Sequence, residues 1–203
     1  EIVMQPGSNV DHYKIQRESE AAYHYGSICV SLSRDCTFST HALSFGGALV
    51  RNEVHPVFTG PGSRAVLNGL SVLRSSQHID NSTVIDHAQP HCESHELYKG
   101  IYADKSAGVF SGTIIVRPDA QKTNALQTNK SLLLSSEATI ESMPQLKIWA
   151  DDVKCTHGAT IGRLDEDALF YLRSRGVPLV AARNMLIHAF ASDVISGVKS
   201  STL

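Results

Sequence analysis

The chain has 203 residues, with 18 Lys and Arg against 20 Asp and Glu and a formal net charge of −2. That balance excludes a basic nucleic-acid binder and a polybasic membrane-surface protein, and no apolar run approaches the roughly 18 residues needed to span a bilayer. β-branched residues are plentiful, serine is frequent at 24 and aromatics are only 6%, a composition that favours a β body over a helical bundle.

The first stretch, Glu1 to about Ser27, is polar and lacks a strong period, with Asp11 to Arg17 as its strand candidate. From Ser27 onward Ile28, Val30 and Leu32 alternate with small residues, the period of a strand. Short apolar runs recur at Ala42-Leu43, Ala48-Leu49-Val50, Val57-Phe58, Ala65 to Leu67 and Val72-Leu73. Gly46-Gly47, Arg51-Asn52, Gly60-Pro61-Gly62 and Asn68-Gly69 read as the turns between them. The same texture continues through Val84-Ile85, Ile101-Tyr102, Val109-Phe110, Thr113 to Val116, Leu132 to Leu134, Leu146 to Ile148 and Val153. Asp80-Asn81, Asp104 to Ser106, Pro118-Asp119, Ser135-Ser136 and Asp151-Asp152 read as further turns. No helical period appears between Ile28 and Ile161. Short strands without crossover helices suit a sandwich, a barrel or a β-solenoid; apolar pairs returning at roughly ten residues fit the two faces of a coil of roughly twenty. Periodicity alone leaves solenoid and sandwich open.

The C-terminal end changes character. Leu164 to Gly176 is punctuated as a helix, with Asp165 at the N-cap, acids in the first turn, basic residues in the last and Gly176 just beyond. Pro178 opens a second helix running from Leu179 to about Ser196, with Ala182, Met185, Leu186, Ala189, Phe190 and Val194 marking one face.

Two clusters have the residue types of a chemical site. Cys155 and His157, two apart on a strand, share a face. A thiolate and an imidazole suit iron, zinc or an iron–sulfur cluster, or a Cys/His nucleophile; a buried cysteine beside a hydrogen-bonded histidine is the plainer alternative. Two ligands do not complete a tetrahedral site, so others must come from elsewhere or from a second chain. His87, His91, Cys92 and His95 match no standard zinc spacing and are read as structural, with an adventitious metal as the alternative. Four cysteines (Cys29, Cys36, Cys92, Cys155) without a CxxC pair imply free thiols in a reducing, cytosol-like compartment. The chain opens Glu1-Ile2-Val3 and reads as the inside of a longer protein.

Taken together, longer segments carry a resemblance. Ala150 to Gly162 and Leu164 to Gly176, with His91 to Ser94, Tyr98 to Gly100, Gly108 to Gly112, Ala120 to Thr123, Gln127 to Asn129, Leu132 to Ser135, Gly46-Gly47, Arg51-Asn52 and Leu67 to Leu70, resemble the SufB/SufD family of iron–sulfur cluster assembly scaffolds. Gly158 stands where the SufB branch carries a glutamate after the histidine, which puts the chain on the SufD side. The resemblance implies a right-handed parallel β-helix core over residues 1–162 and a C-terminal helical domain over 163–203. It also implies a missing N-terminal helical region, pairing with a SufB-type paralogue through the β-helix ends (or a homodimer in isolation), and a SufC-type ABC ATPase docked on the C-terminal helices. In that picture the chain is a non-catalytic cytoplasmic subunit and ATP is hydrolysed on the partner. His157 and Cys155 are ligands to a transient iron–sulfur cluster or iron at the subunit interface, and Asp165, Glu166, Asp167, Phe170, Tyr171 and Arg173 form the ATPase contact. A carbohydrate-active β-helix enzyme, with Asp104, Lys105, Asp119 and Lys122 as its scattered candidates, and a purely structural dimerisation module stand as alternatives.

Overall fold

The computed structural model describes residues 1–199. Twelve strands come first: β1 (Ile2–Met4), β2 (Asn9–Gln16), β3 (Tyr23–Leu32), β4 (Thr37–Ser44), β5 (Leu49–Phe58), β6 (Arg64–Leu73), β7 (His78–His87), β8 (Glu93–Tyr102), β9 (Ala107–Val116), β10 (Asn124–Leu133), β11 (Thr139–Ile148) and β12 (Lys154–Gly162). Helices α1 (Glu166–Ser174) and α2 (Leu179–Ile195) follow. Odd strands form one parallel sheet in the order β1-β3-β5-β7-β9-β11, and even strands form a second, β12-β10-β8-β6-β4-β2. Each strand therefore pairs with the strand two along the chain, which makes a parallel β-solenoid of about six coils. The resemblance is borne out in its fold, and the sandwich and the barrel are set aside.

The coil is longer than the spacing of apolar pairs suggests. Side chains stacked on successive coils lie 27 to 31 residues apart in sequence, against the twenty expected. Two apolar pairs that read as separate strands, such as Ala65-Val66-Leu67 and Val72-Leu73, belong to one ten-residue strand, β6. The turns expected between them are mid-strand: Arg51-Asn52 lies in β5, Asn68-Gly69 in β6 and Asp80-Asn81 in β7. The physical reason is inside the solenoid. Asn52 and Asn81 point inward, and Asn52 Nδ2 donates to Asn81 Oδ1 at 3.0 Å, so each amide spends its hydrogen bonds on the next coil rather than on a turn. Gly69 is mid-strand because the ring of Tyr98, on the neighbouring strand, fills the space its side chain would take.

The true corners carry a different signature. On the edge joining odd to even strands, Gly7, Asp35, Gly62, His91 and Lys122 all have φ between +57° and +75°. The amide of each donates to a carbonyl of the next coil: Gly7 to Arg34, Asp35 to Pro61, Gly62 to Pro90, His91 to Gln121 and Lys122 to Asp152. A left-handed residue costs about 1 kcal/mol or more for a side chain other than glycine, and the coil-to-coil hydrogen bond offsets it. Three of the five corner residues are not glycine, so composition could not reveal them.

The lumen has an apolar cluster at each edge and a polar lane between. Phe38, Phe58, Leu67, Ile85, Phe110, Ile114 and their neighbours fill one side; Val50, Leu73, Ile79 and Tyr102 fill the other. Through the middle, Lys14 Nζ donates to Asn52 Oδ1 (2.6 Å) and Asn81 Nδ2 to Ser71 Oγ (3.4 Å), and farther along Gln127 Nε2 donates to Glu96 Oε2 (2.7 Å).

α1 matches its expected punctuation. Asp165 caps it, accepting from Asp167 N and Ala168 N, and Gly176 beyond the end is left-handed at φ +86°. α2 returns across the outer face of the even-strand sheet against β6 and β8. The face it uses overlaps the expected one only in part: Ala182 is buried, and Phe190 and Val194 pack with Ile187 and Ala191 on Leu70, Ile101 and Leu132, whereas Met185 is 52% exposed and Ala189 is also on the outside. α2 is apolar around most of its circumference, so periodicity does not single out the buried stripe. Lys99, on β8, holds it in place. Its ammonium is buried beneath the helix, donates to Phe190 O (2.7 Å) and Asp193 Oδ2 (2.6 Å), and lies over the Phe190 ring.

Candidate functional site at the C-terminal end of the solenoid

β12 is the last strand of its sheet, paired with β10 on one side only. The register sets Ala125 opposite Cys155, Gln127 opposite His157 and Asn129 opposite Ala159. Ala125, Gln127 and Asn129 are buried and face the lumen, so Cys155 and His157 occupy the inward rank of the last coil. Cys155 is half-buried against the larger apolar cluster, while His157 is exposed because no further coil covers it. The shared face expected for the two side chains is present. Burial pushes the Cys155 thiol up, with a smaller opposing effect from the Ala125 backbone. A proton therefore stays on the sulfur until a cation competes for it.

Around this pair the end of the solenoid is open. The outer edges of β11 and β12 have no strand partner among the described residues. Met143, Ile148, Trp149 and Ile161 are between 38% and 59% exposed there. An unpaired, partly apolar edge of this kind is a template for strand addition.

The second cluster is dispersed. His87 is fully buried, stacked on Phe58, with Nε2 2.8 Å from Ser94 Oγ; burial lowers its pKa to about 4. His91 is a corner residue, Cys92 is buried with its thiol directed to backbone carbonyls, and His95 faces outward near Arg64. Among the described residues no group of three or more His, Cys, Asp or Glu side chains converges on a metal position. All four cysteines are free thiols.

The residues considered for sugar chemistry lie at opposite edges. Asp104 Oδ2 accepts from the Ser75 amide at one corner, while Lys122 pairs with Asp152 at the other; they line no common groove. A groove of about 930 Å³ between α2 and the outer faces of β2, β4 and β6 is lined mostly by apolar side chains such as Leu43, Phe45 and Ile187. It is at the far end of the sheet from Cys155.

On the helices, Asp165, Glu166, Asp167 and Arg173 are exposed, as are Phe170 (74%) and Tyr171 (56%). The Asp165 carboxylate is engaged in capping, and the Arg175 guanidinium lies over the Tyr171 ring at 4.3 Å. Val180 and Met185 of α2 add further exposed apolar surface. Among the described residues, no helix is long and apolar enough to cross a membrane.

Sequence reading did not identify Glu96 and Gln127. Glu96 is completely buried and its carboxyl is pushed up to about 7, by burial first, with the Thr83 hydroxyl and then the Gln127 amide acting in the opposite direction. In sequence it sits between His95 and Lys99 and looks like surface. The available signal was its alternation with Ser94 and Tyr98, which marks one face of a strand.

Comparison with known proteins agrees with this architecture. The family described as SUF system FeS cluster assembly, SufBD core domain, matches residues 1–190. The iron–sulfur cluster assembly protein SufD of Escherichia coli is 36% identical over 97% of this chain and 46% of its own length. A SufBD family iron–sulfur cluster assembly protein of Synechocystis is 34% identical over the whole chain and 45% of its own length. The chloroplastic protein ABCI7 of Arabidopsis thaliana is 39% identical over 96% of the chain and 41% of its own length. The chain thus spans about half the length of these relatives. With the matching core domain, the shared identity and the solenoid in agreement, the chain belongs to the SufB/SufD family of iron–sulfur cluster assembly proteins.

Proposed function

We propose that this chain is a non-catalytic scaffold subunit that supplies Cys155 and His157 to an iron–sulfur cluster in transit, the remaining ligands coming from a SufB-type partner. The observation that carries this reading is the placement of a thiol and an imidazole on one inward rank of the last strand, at an open solenoid end. Half a ligand set on an unpaired edge binds iron only when a second chain brings the other half, and a site completed that way releases its cargo readily. The raised thiol pKa fits the same reading, since binding must displace a proton and weakens in acid. Gly158 offers no side chain, so an acidic ligand has to come across the interface.

The same reading divides the labour along the chain. Residues 1–162 carry the cluster ligands and the pairing edge. Residues 163–203, of which 200–203 lie outside the described residues, form the helical dock for a SufC-type ABC ATPase. Phe170 and Tyr171, with Val180 and Met185 nearby in the helical pair, form the apolar centre of that dock, and Glu166, Asp167 and Arg173 its charged rim. ATP is hydrolysed on that partner. Four unpaired thiols suit work in a reducing, cytoplasm-like compartment.

The test is anaerobic reconstitution with iron and sulfide, followed by visible absorbance and by iron and sulfide content. The chain alone, its complex with the SufB-type and SufC-type partners, and the same complex carrying His157→Ala are compared. Cluster absorbance that appears only in the complex and falls with His157→Ala supports the shared site. Equal content in the wild-type and His157→Ala complexes refutes the ligand role.

A further inference from the structure

The buried polar groups of the last coils are unevenly satisfied. Gln127 is fully buried, and its Nε2 donates to Glu96 Oε2 at 2.7 Å, yet its Oε1 is buried with no partner. The amide is held tightly: Gly112, across the lumen, leaves the space that the Gln127 amide fills, with the Phe110 ring beside it. A side chain at position 112 would displace it. Glu96 Oε2 takes the Gln127 Nε2–H, so the amide nitrogen faces Glu96 and the carbonyl is left over. A buried acceptor without a donor is unfavourable, so the carbonyl is open to a donor brought from outside the coil. The residue one strand above, in register and on the same inward rank, is His157.

We propose that Gln127 is a positioning residue for His157: its carbonyl oxygen accepts the ring N–H that is not used for iron, with Glu96 fixing the orientation of the amide. This rests on the reading of His157 as a ligand. A histidine that binds a metal through one nitrogen generally donates the other N–H to a carbonyl or carboxylate, which sets tautomer and ring direction. In the free chain the His157 ring is exposed and the carbonyl waits unpaired; closure of the solenoid end by the partner brings the ring onto it. Cys155, packed on the core beside the same lumen, needs no such support.

The test is anaerobic titration of ferrous iron into the assembled complex with the SufB-type and SufC-type partners. It is carried out for wild type, His157→Ala, Gln127→Met, Glu96→Gln and the double variant Gln127→Glu/Glu96→Gln, with complex mass and thermal midpoint measured for each. Gln127→Met keeps the volume and removes the acceptor, and iron affinity falls about 10- to 100-fold. Gln127→Glu combined with Glu96→Gln exchanges donor and acceptor between the two positions, keeps an acceptor at 127 and restores affinity to near wild type, which a purely structural loss would not do. If Gln127→Met fails to assemble, Glu96→Gln still decides, because it frees the Gln127 amide to turn over. On the proposal that second variant weakens iron in a complex of unchanged mass. If His157→Ala abolishes iron binding while Gln127→Met and Glu96→Gln match wild type, the positioning role is overturned and the ligand reading stands. If His157→Ala itself leaves iron affinity unchanged, both fall.

Discussion

Glu96 gives a prediction whose size follows from its burial. Its carboxyl titrates at about 7 in the folded chain against a reference of 4.5. Between those two values the folded state holds a proton that the unfolded state has lost. Stability is therefore greatest below 4.5 on this account and falls as pH rises through 7. At 1.36 kcal/mol per unit, the loss is about 3 kcal/mol. Glu96→Gln, a neutral side chain of the same shape, removes it. The stability difference between variant and wild type, from urea midpoints at a series of pH values, should be near zero at pH 4.5 and grow to about 3 kcal/mol in favour of the variant by pH 8. His87 runs the other way: burial lowers its pKa from 6.5 to about 4, so its contribution is present above 6.5 and is lost as pH falls through 4. The two nearly cancel between 4.5 and 6.5, so the wild-type profile alone conceals both, while the difference profile isolates Glu96. A difference that stays flat from pH 4.5 to 8 would refute a buried carboxyl at this position.

Other predictions concern packing and access. Asp193→Ala leaves the buried Lys99 ammonium with the Phe190 carbonyl and ring; because the Asp193 side chain is 61% exposed, the change should cost about 1–2 kcal/mol, whereas Lys99→Met should cost under about 1 kcal/mol. Hydrogen exchange along α2 measures both, and equal costs would contradict the pin. Gly69→Ala drives a methyl group into the Tyr98 ring and should lower stability by about 1–3 kcal/mol, read from thermal or urea unfolding. With iodoacetamide and mass spectrometry, exposed Cys29 should label first, half-buried Cys155 more slowly, and Cys36 and Cys92 only on unfolding; Cys92 labelling as fast as Cys29 would show that the corner is not closed.

Some of the molecule was readable in advance because the relevant physics is local. Capping of α1 by Asp165 and the left-handed Gly176 depend on residues within one turn, and both stand as expected. The Cys155 and His157 pairing on one face follows from the two-residue period of a strand alone. The α1 residues proposed for an ATPase contact are exposed. Coil length and turns were misread for an equally definite reason. Asparagine and glycine have a local preference for turns, but Asn52, Asn81 and Gly69 answer to partners 29 residues away in sequence. Asp35, His91 and Lys122 are the converse case, ordinary residues held left-handed by a hydrogen bond to the next coil.

The amino-acid sequence by itself determined the alternation that makes strands, the two punctuated helices, and the motifs that tie the chain to its family. Tertiary structure alone decided which inward ranks stack, and through them nearly everything about the site. It put Gln127 under His157, buried Glu96 beneath Gln127, dispersed the His87 to His95 cluster, and chose the stripe of α2 that faces Lys99. The reason is that a parallel solenoid places in contact residues about 29 positions apart, whereas the patterns read from a sequence are those of neighbours.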